Sequence, residues 1–149
     1  MQICMEPIGY VENDINSPID LGWAKVESSI VLREDLAPAL SGLSEFSHIV
    51  IIFWMHQAKS MITLVRKPQN RKDMPDVGVL AQRAKHRPNP IGITAVQLLK
   101  INGCSIVVRG LDAINGTPVL DIKPYYPDYD CHPEARVPEW VSRLMVDYF

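Results

Sequence analysis

Apolar and polar side chains alternate along much of this chain, in short runs that are separated by turn residues. Such alternation is typical of β-strands, because successive side chains of a strand point to opposite faces. The longest apolar run, residues 49–55, has the length of a strand and is too short to span a membrane. The pattern predicts strands at residues 7–11, 24–32, 48–55, 62–66, 92–101, 105–111 and 118–122.

Turn and helix signals define how these strands are connected. Asn102-Gly103 predicts a β-hairpin, since both turn positions favour positive φ, and Asn115-Gly116 repeats the signal. Helical patterns are limited to residues 34–40 and 138–148. Many short strands with few helices predict a mainly β fold, barrel-like or sandwich-like, with short helices and one of them at the C-terminal end. We expect residues 1–149 to form a single domain.

Composition is that of a soluble globular protein and argues against several functional classes. Apolar residues make up 47% and charged residues 21% of the chain. No signal peptide or membrane span is evident, so we expect a cytoplasmic protein. The three cysteines have no C-x-x-C spacing, which argues against a disulfide framework and a zinc site. Cys131-His132 lacks a second ligand pair, and we therefore expect no metal.

The net charge of −2 hides an uneven distribution of charged side chains. Residues 1–58 carry two basic and eight acidic side chains, and residues 101–149 carry four and seven. Residues 59–100 carry nine basic side chains against only Asp73 and Asp76. A basic patch of this kind attracts phosphates, although a solvated surface that pairs with the acidic flanks is an equal alternative.

Much of this positive charge lies in and beside residues 67–77, which are polar and contain two prolines. We expect this segment to be a long, mobile loop, either functional or an inert insertion. The candidate RNA-binding residues are Arg66, Lys67, Arg71, Lys72 and Arg87.

The sequence Arg87-Pro88-Asn89-Pro90, here called the RPNP segment, is unusual on physical grounds. Each proline fixes its own φ and disfavours the α conformation of the preceding residue, so the segment must be extended and stiff. Gly92 follows, where the backbone can approach a ligand closely. A rigid loop that presents polar groups suits a preorganised site, and the alternative is an edge connection that blocks strand pairing.

Three further clusters carry polar or aromatic groups. His56-Gln57 ends an apolar strand, and residues 112–118 crowd hydrogen-bonding side chains around a tight turn. Residues 121–130 contain three tyrosines that can stack on a base, or can form a wall of the core. Each cluster taken alone is also compatible with a purely structural role.

Taken in order along the chain, these clusters resemble the TsaA-like family of S-adenosylmethionine-dependent tRNA methyltransferases, which includes TrmO (YaeB). The resemblance is carried by His56-Gln57, Arg83, the RPNP segment with Ile91-Gly92, and the sequence GTPVLDIKPY at residues 116–125. It implies a β-barrel-like, usually dimeric fold without the Rossmann architecture. The sequence agrees, because it has neither a G-x-G-x-x-G after a strand nor βαβ alternation.

The resemblance also implies a function, which is N6-methylation of N6-threonylcarbamoyladenosine next to the tRNA anticodon. Relatives often carry a Pro-Arg-Gln loop near the N-terminus, whereas residues 13–20 here lack the arginine. The alternatives are methylation of another nucleoside or small molecule, and a non-catalytic module that binds S-adenosylmethionine or RNA. The expected cofactor contacts are His56, Gln57, Arg83, Ile93, Asp112, Asn115, Gly116, Thr117 and Pro118. The candidate catalytic residues are Asn89, which would hold the attacking nitrogen, and Asp121 or Tyr125, which would assist proton loss.

Overall fold

The alternating pattern folds into a closed barrel of antiparallel strands in a computed structural model, which describes residues 1–20, 22–59 and 63–149. The barrel strands are β1 (Gly9–Glu12), β2 (Glu27–Leu32), β3 (His48–Trp54), β6 (Ile91–Asn102), β7 (Ser105–Arg109) and β8 (Pro118–Pro124). They are ordered β1-β2-β7-β6-β3-β8, and β8 pairs with β1 to close the barrel. The expected mainly β, non-Rossmann fold is therefore confirmed.

A small second sheet consists of β4 (Val65–Arg66) and β5 (Val77–Gly78), which pair antiparallel. The predicted strand at residues 62–66 includes residue 62, which lies outside the described residues, and its last two residues form β4. β5 was not predicted, because two residues give too short a pattern to recognise.

The barrel interior is filled by the inward-facing side chains of all six barrel strands. On β3, Ile49, Ile51 and Phe53 point inward and are buried, while Val50 and Ile52 are only partly buried on the outer face. The long apolar run of β3 thus covers both faces of one strand. The buried core comprises Val11, Ile30, Leu32, Ile49, Ile51, Phe53, Val96, Ile106, Val108, Leu111, Ala113 and Val119.

Helices are short throughout the described part of the chain. The 3-10 helix Glu34–Leu40 coincides with the prediction, and Pro38 inside it lacks the N–H that an α-helical bond requires. α1 (Pro127–Asp130) was not predicted, and α2 (Glu139–Met145) is the predicted C-terminal helix in a shorter form. No helix of the described residues is long and apolar enough to cross a membrane. The remaining 3-10 helices are Trp23–Lys25, Leu43–Glu45, Pro68–Asn70 and Val79–Ala81.

Two predicted hairpin turns differ from expectation in detail. Asn102 pairs with Ser105, so the turn of the β6–β7 hairpin consists of Gly103 and Cys104, with positive φ at Gly103 alone. The prediction placed this turn one residue too early, because Asn102 still takes part in the ladder. Asn115-Gly116 does form a turn, with φ 77° at Gly116, but it precedes β8 and does not join two paired strands.

Residues 67–77, which the sequence predicts to be a long, mobile loop, contain the 3-10 helix Pro68–Asn70 and reach β5 at Val77. Lys67 Nζ donates a hydrogen bond to the carbonyl of Met74 at 2.8 Å, and the Met74 side chain is buried. Arg71 pairs with Asp73 at 2.7 Å and donates to the carbonyl of Arg143 in α2. These side-chain contacts, which composition cannot reveal, fold the segment between β4 and β5 against the rest of the protein.

Candidate functional site

Three segments meet at one end of the barrel, which we call the mouth: the turn at residues 55–59 after β3, residues 83–90 before β6, and the loop at residues 110–117 before β8. Met55 N–H donates to the carbonyl of Pro90 at 2.8 Å, which joins the first two segments. Thr94 in β6 donates to Asp112, which joins β6 to the third. The mouth contains seven of the nine expected cofactor contacts, and the other two, Ile93 and Pro118, lie in the adjoining strands β6 and β8.

The carboxylate of Asp112 is held by two donors. Thr94 Oγ1 donates to Oδ1, and the Tyr148 hydroxyl donates to Oδ2 at 2.7 Å. Burial raises the pKa of Tyr148 far above its usual value, and the neighbouring Asp112 charge raises it further, while Arg83 lowers it. Tyr148 consequently stays a protonated donor, and the Asp112 carboxylate is oriented with acceptor capacity left for a ligand hydroxyl or amine.

A cation acts on the same tyrosine as this anion, because Arg83 lowers the pKa of Tyr148. The Arg83 guanidinium donates to the carbonyl of Ile93 at 2.6 Å, and Ile93 directly precedes the Thr94 that holds Asp112. The Arg83 cation is thus bound to Ile93 and the Asp112 anion to Thr94, which are successive residues of β6. The side chain of Ile93 is 51% exposed and points to the outer face of β6, opposite to the Thr94 side chain that holds Asp112. An anionic acceptor and a cationic donor held at one end of the barrel fit a zwitterionic ligand.

The turn before β8 is joined to the N-terminal segment by asparagines. Asn115 Nδ2 donates to Asn16 Oδ1 at 3.1 Å, and Asn115 N–H donates to the carbonyl of Ile15 at 2.7 Å. Asn13 Nδ2 donates to the carbonyl of Ala113 at 2.9 Å. The segment at residues 13–16 is thus joined to the loop before β8 and forms the N-terminal wall of the mouth.

Two expected cofactor contacts in this turn, Thr117 and Gly116, also stabilise the turn itself. Thr117 is 2% exposed; its N–H donates to the Ile114 carbonyl, and its carbonyl accepts from Val11 N–H. Gly116 N–H donates to the carbonyl of Val11 at 2.7 Å. Both residues fix the turn, while Pro118 begins β8 opposite Tyr10.

The RPNP segment is held in place by its flanks. The Asn89 carbonyl accepts from Ile91 N–H at 2.7 Å, and Arg87 donates to the carbonyl of Gln82 at 3.0 Å. The Asn89 side chain is exposed. Gly92 has a packing reason, because a Cβ at this position would lie 2.3 Å from ring carbons of buried Phe53. The absence of a side chain leaves room for that ring.

The three candidate catalytic residues do not meet within one chain. Asn89 precedes the end of β6 that pairs with Trp54, whereas Tyr125 N–H donates to the carbonyl of His48 at the other end of β3. Six strand residues separate these positions, about 20 Å. Asp121 lies between them, opposite Ile52, and pairs with Lys123 at 2.7 Å.

The candidate RNA-binding residues fall into two groups. Lys67 and Arg71 form ion pairs with Asp76 and Asp73, the two acidic residues of the basic stretch. Arg66, Lys72 and Arg87 have no carboxylate partner within the described residues, and the Arg66 Nε atom is buried without a hydrogen-bond partner there.

Several residues that build the mouth gave no signal that sequence reasoning used. Thr94 lies in a strand pattern, Tyr148 follows a C-terminal helix, and Asn13 is part of a segment noted only for its missing arginine. Their roles depend on contacts between residues 18 to 100 positions apart. No local pattern encodes such contacts. Among the described residues, no group of three or more His, Cys, Asp or Glu side chains is placed to hold a metal ion.

The chain is similar to known proteins over most of its length. The family model described as the tRNA-methyltransferase O N-terminal domain matches residues 11–131. The chain belongs to the TrmO family. The matched range includes Arg83, the RPNP segment and Asp112, whereas Tyr148, the second donor to Asp112, lies beyond it.

Individual relatives of this TrmO-family chain include archaeal and bacterial proteins. A probable S-adenosyl-L-methionine-binding protein of Pyrococcus abyssi is 36% identical, over 96% of this chain and 78% of its own. One from Methanothermobacter thermautotrophicus is 39% identical, over 87% and 95%. The crystal structure of TrmO from Pseudomonas aeruginosa matches with a TM-score of 0.77 and 31% identity, over 94% of this chain. The chain spans only 62% of that solved protein.

Proposed function

We propose that this TrmO-family chain is an S-adenosylmethionine-dependent methyltransferase that methylates N6 of N6-threonylcarbamoyladenosine next to the anticodon of tRNA. The observation that carries the proposal is the Asp112 carboxylate, oriented by Thr94 and Tyr148, together with the Arg83 guanidinium that is bound to the carbonyl of Ile93. Family membership supports the reaction class, since relatives are named as tRNA (adenine(37)-N6)-methyltransferases or as S-adenosyl-L-methionine-binding proteins.

The groups at the mouth fit this cofactor chemically. Its amino-acid end carries an ammonium and a carboxylate, for which Asp112 and Arg83 offer charges of the matching sign. When bound, the cofactor would supply an electrophilic methyl group on a positively charged sulfur to the N6 nitrogen, which is a urea-type nitrogen in this substrate and gives up its proton.

The chain's own task in this reaction is alignment, which contributes several kcal/mol when reacting groups are held in position. We assign to the exposed amide of Asn89 the orientation of the attacking nitrogen, on a segment whose prolines resist rearrangement. The proton leaves to solvent or to Asp121, whose carboxylate is on the outer face and paired with Lys123. Tyr125 contacts the end of β3 that is opposite to Asn89, so within one chain it is too far from Asn89 to act on the same nitrogen.

The uncompensated part of the basic stretch is the proposed contact with tRNA phosphates. Arg66, Lys72 and Arg87 meet this description, and Lys85 precedes Arg87 by two residues. Ion-paired Lys67 and Arg71 contribute less, because binding a phosphate would compete with their carboxylates. We place the enzyme in the cytoplasm together with its tRNA.

Salt dependence tests this footprint. Replacing Lys72 and Lys85 by alanine should flatten the slope of log affinity for tRNA against log salt by about two units. The charge-matched control, Lys25→Ala with Arg136→Ala, removes two cations outside residues 59–100 and should leave the slope unchanged. If both double variants have the same slope of log affinity against log salt, Lys72 and Lys85 do not contact the RNA phosphates.

We also propose that two copies associate through the outer face of β3 and β6. Val50, Ile52 and Trp54 line this face, and Ile91 and Ile93 beside them are exposed apolar side chains. Val50→Lys should convert a dimer into a monomer in analytical ultracentrifugation. Val31→Lys, on the outer face of β2, should leave the dimer intact. A wild-type monomer would refute this part of the proposal.

Methyl transfer itself is tested by incubating the protein with labelled S-adenosylmethionine and total tRNA, followed by mass spectrometry of the nucleosides. The expected product is the methylated threonylcarbamoyl derivative. Label in another nucleoside or a small molecule would favour the second enzymatic reading, and calorimetric binding without any transfer would favour a non-catalytic module. Asn89→Ala should reduce turnover more than about threefold, since a smaller loss is under one kcal/mol.

A further inference from the structure

The turn that carries His56 and Gln57 is fastened at both ends to the segment before β6. At its start, Met55 N–H donates to the carbonyl of Pro90 at 2.8 Å. At its end, Lys59 N–H donates to Nδ1 of His86 at 3.0 Å. Within the turn, Ala58 N–H donates to the carbonyl of Met55 at 2.9 Å. His86 is thus the only side chain among these contacts, since the others join main-chain groups.

The hydrogen bond defines the protonation state of His86. A main-chain N–H can only donate, so Nδ1 must carry the lone pair, and the proton of the neutral ring is on Nε2. Burial lowers the pKa of His86, and the cationic side chains of Lys85, Arg66 and Lys59 lower it further. These cations come from its own segment, from β4 and from the turn itself. Together they keep the ring neutral and Nδ1 available as an acceptor at neutral pH.

We propose that His86 is a positioning residue that holds the His56–Gln57 turn in its cofactor-binding orientation through the Nδ1 acceptor. The inference rests on the proposed function, because it takes the turn to contact S-adenosylmethionine. His86 does not touch the cofactor or the reacting nitrogen. It acts through the main chain of Lys59, and the RPNP segment and the turn therefore keep one relative position.

Two conservative substitutions separate the two ring nitrogens. The amide oxygen of asparagine occupies approximately the place of Nδ1, whereas the longer glutamine places its amide near Nε2. His86→Asn should retain affinity for S-adenosylmethionine within about twofold. His86→Gln and His86→Ala should weaken it about fivefold, the effect of losing one hydrogen bond. The reverse order, with glutamine active and asparagine impaired, would overturn the proposal.

The pH profile gives an independent readout. As pH falls through the lowered pKa of His86, below the usual value of about 6.5, Nδ1 is protonated and can no longer accept from Lys59. Cofactor affinity of the wild type should therefore decrease over this range, and that of His86→Asn should not. Parallel profiles for the two proteins would contradict the proposal.

Amide hydrogen exchange of Lys59, measured by NMR without cofactor, distinguishes the two levels of inference. Exchange should be faster in His86→Gln than in wild type or His86→Asn. If exchange is faster in His86→Gln but the wild type does not bind S-adenosylmethionine, the proposed function fails. The hydrogen bond from Lys59 N–H to His86 is then still confirmed as what holds the turn. If the wild type binds the cofactor and all three variants match it in affinity and exchange, the His86 proposal fails alone.

Discussion

At the scale of single residues, the Asp112 carboxylate shows how a long-range contact builds a binding group. Tyr148 reaches it from 36 positions away, so the last residues of the chain complete the mouth. Tyr148→Phe removes one donor and leaves Thr94 in place. We expect affinity for S-adenosylmethionine, measured by calorimetry, to decrease about fivefold, and the free energy of unfolding to fall by about 1–2 kcal/mol. Tyr129→Phe, at an exposed tyrosine, is the control and should change neither quantity.

The alkaline pH dependence of stability follows from the same residue. Because the pKa of Tyr148 is raised in the folded protein, its contribution is fully present below the unfolded value of about 10 and decreases as pH rises above it. Wild-type stability should therefore decline more steeply above that pH than stability of the Tyr148→Phe variant. Denaturant unfolding at several alkaline pH values measures this, and identical slopes would contradict it.

The sequence singles out Gly92, but it does not show that the position must lack a side chain because of the Phe53 ring. Gly92→Ala would bring a methyl group to 2.3 Å from the Phe53 ring inside the barrel. We expect a loss of about 1–3 kcal/mol in the free energy of unfolding, typical of overpacking. Gly78→Ala is the matched control, because no atom lies within 4 Å of the added carbon. Comparable stability of the two variants in urea would show that Phe53 has room to move.

Residues whose role depends on the local backbone were predictable from the sequence, and residues whose role depends on long-range contacts were not. The RPNP segment was predictable, since two prolines restrict the backbone wherever they occur. Asp112 was also recognised, but as part of a turn. The donors Thr94 and Tyr148 were missed because each is ordinary in its own segment, and only barrel closure brings them to one carboxylate.

At the scale of elements, the β4–β5 sheet depends on one buried side chain. Gln82 is 6% exposed, and its Nε2 donates to the carbonyls of Arg66 and Val77, one in each strand. Gln82→Ala leaves both carbonyls without this donor. Amide hydrogen exchange, followed by mass spectrometry, should become faster in residues 65–78 while the barrel strands remain protected.

The control for this prediction is Gln97→Ala, at an exposed position in β6. It should not change exchange in residues 65–78. Unchanged exchange in Gln82→Ala would mean that the strand pairing of Val65 with Gly78 and Arg66 with Val77 is sufficient by itself.

Elements with strong periodicity were predictable, and those made by tertiary contacts were not. β3 lies where an apolar run of strand length indicates, and the 3-10 helix Glu34–Leu40 lies where helical spacing indicates. The segment between β4 and β5 was misjudged because its order comes from Lys67, Arg71 and buried Met74, whose partners cannot be read from composition. The turn of the β6–β7 hairpin was displaced by one residue because the ladder extends through Asn102.

At the scale of the whole molecule, the C-terminal segment is fastened to the barrel at several separate points. Trp23 N–H donates to the carbonyl of Tyr148, and Gly22 N–H donates to that of Asp147. Arg143 in α2 donates to the carbonyl of Asp73, and Tyr148 donates to Asp112. The helix at the end of the chain is therefore coupled to a 3-10 helix, to the β4–β5 segment and to the mouth.

This coupling predicts that residues 1–149 unfold as one unit. The tryptophans report on different regions, because Trp54 is in β3, Trp140 in α2 and Trp23 in the 3-10 helix that contacts Tyr148. Denaturation followed by fluorescence and by far-UV circular dichroism should give coincident transitions, as two-state unfolding requires. Val119→Ala, at a buried position where β8 closes the barrel against β1, should lower both midpoints equally. The contrary outcome can be seen in a variant that retains only Trp140. If its fluorescence changes at a lower denaturant concentration than its circular dichroism signal, the C-terminal segment separates from an intact barrel.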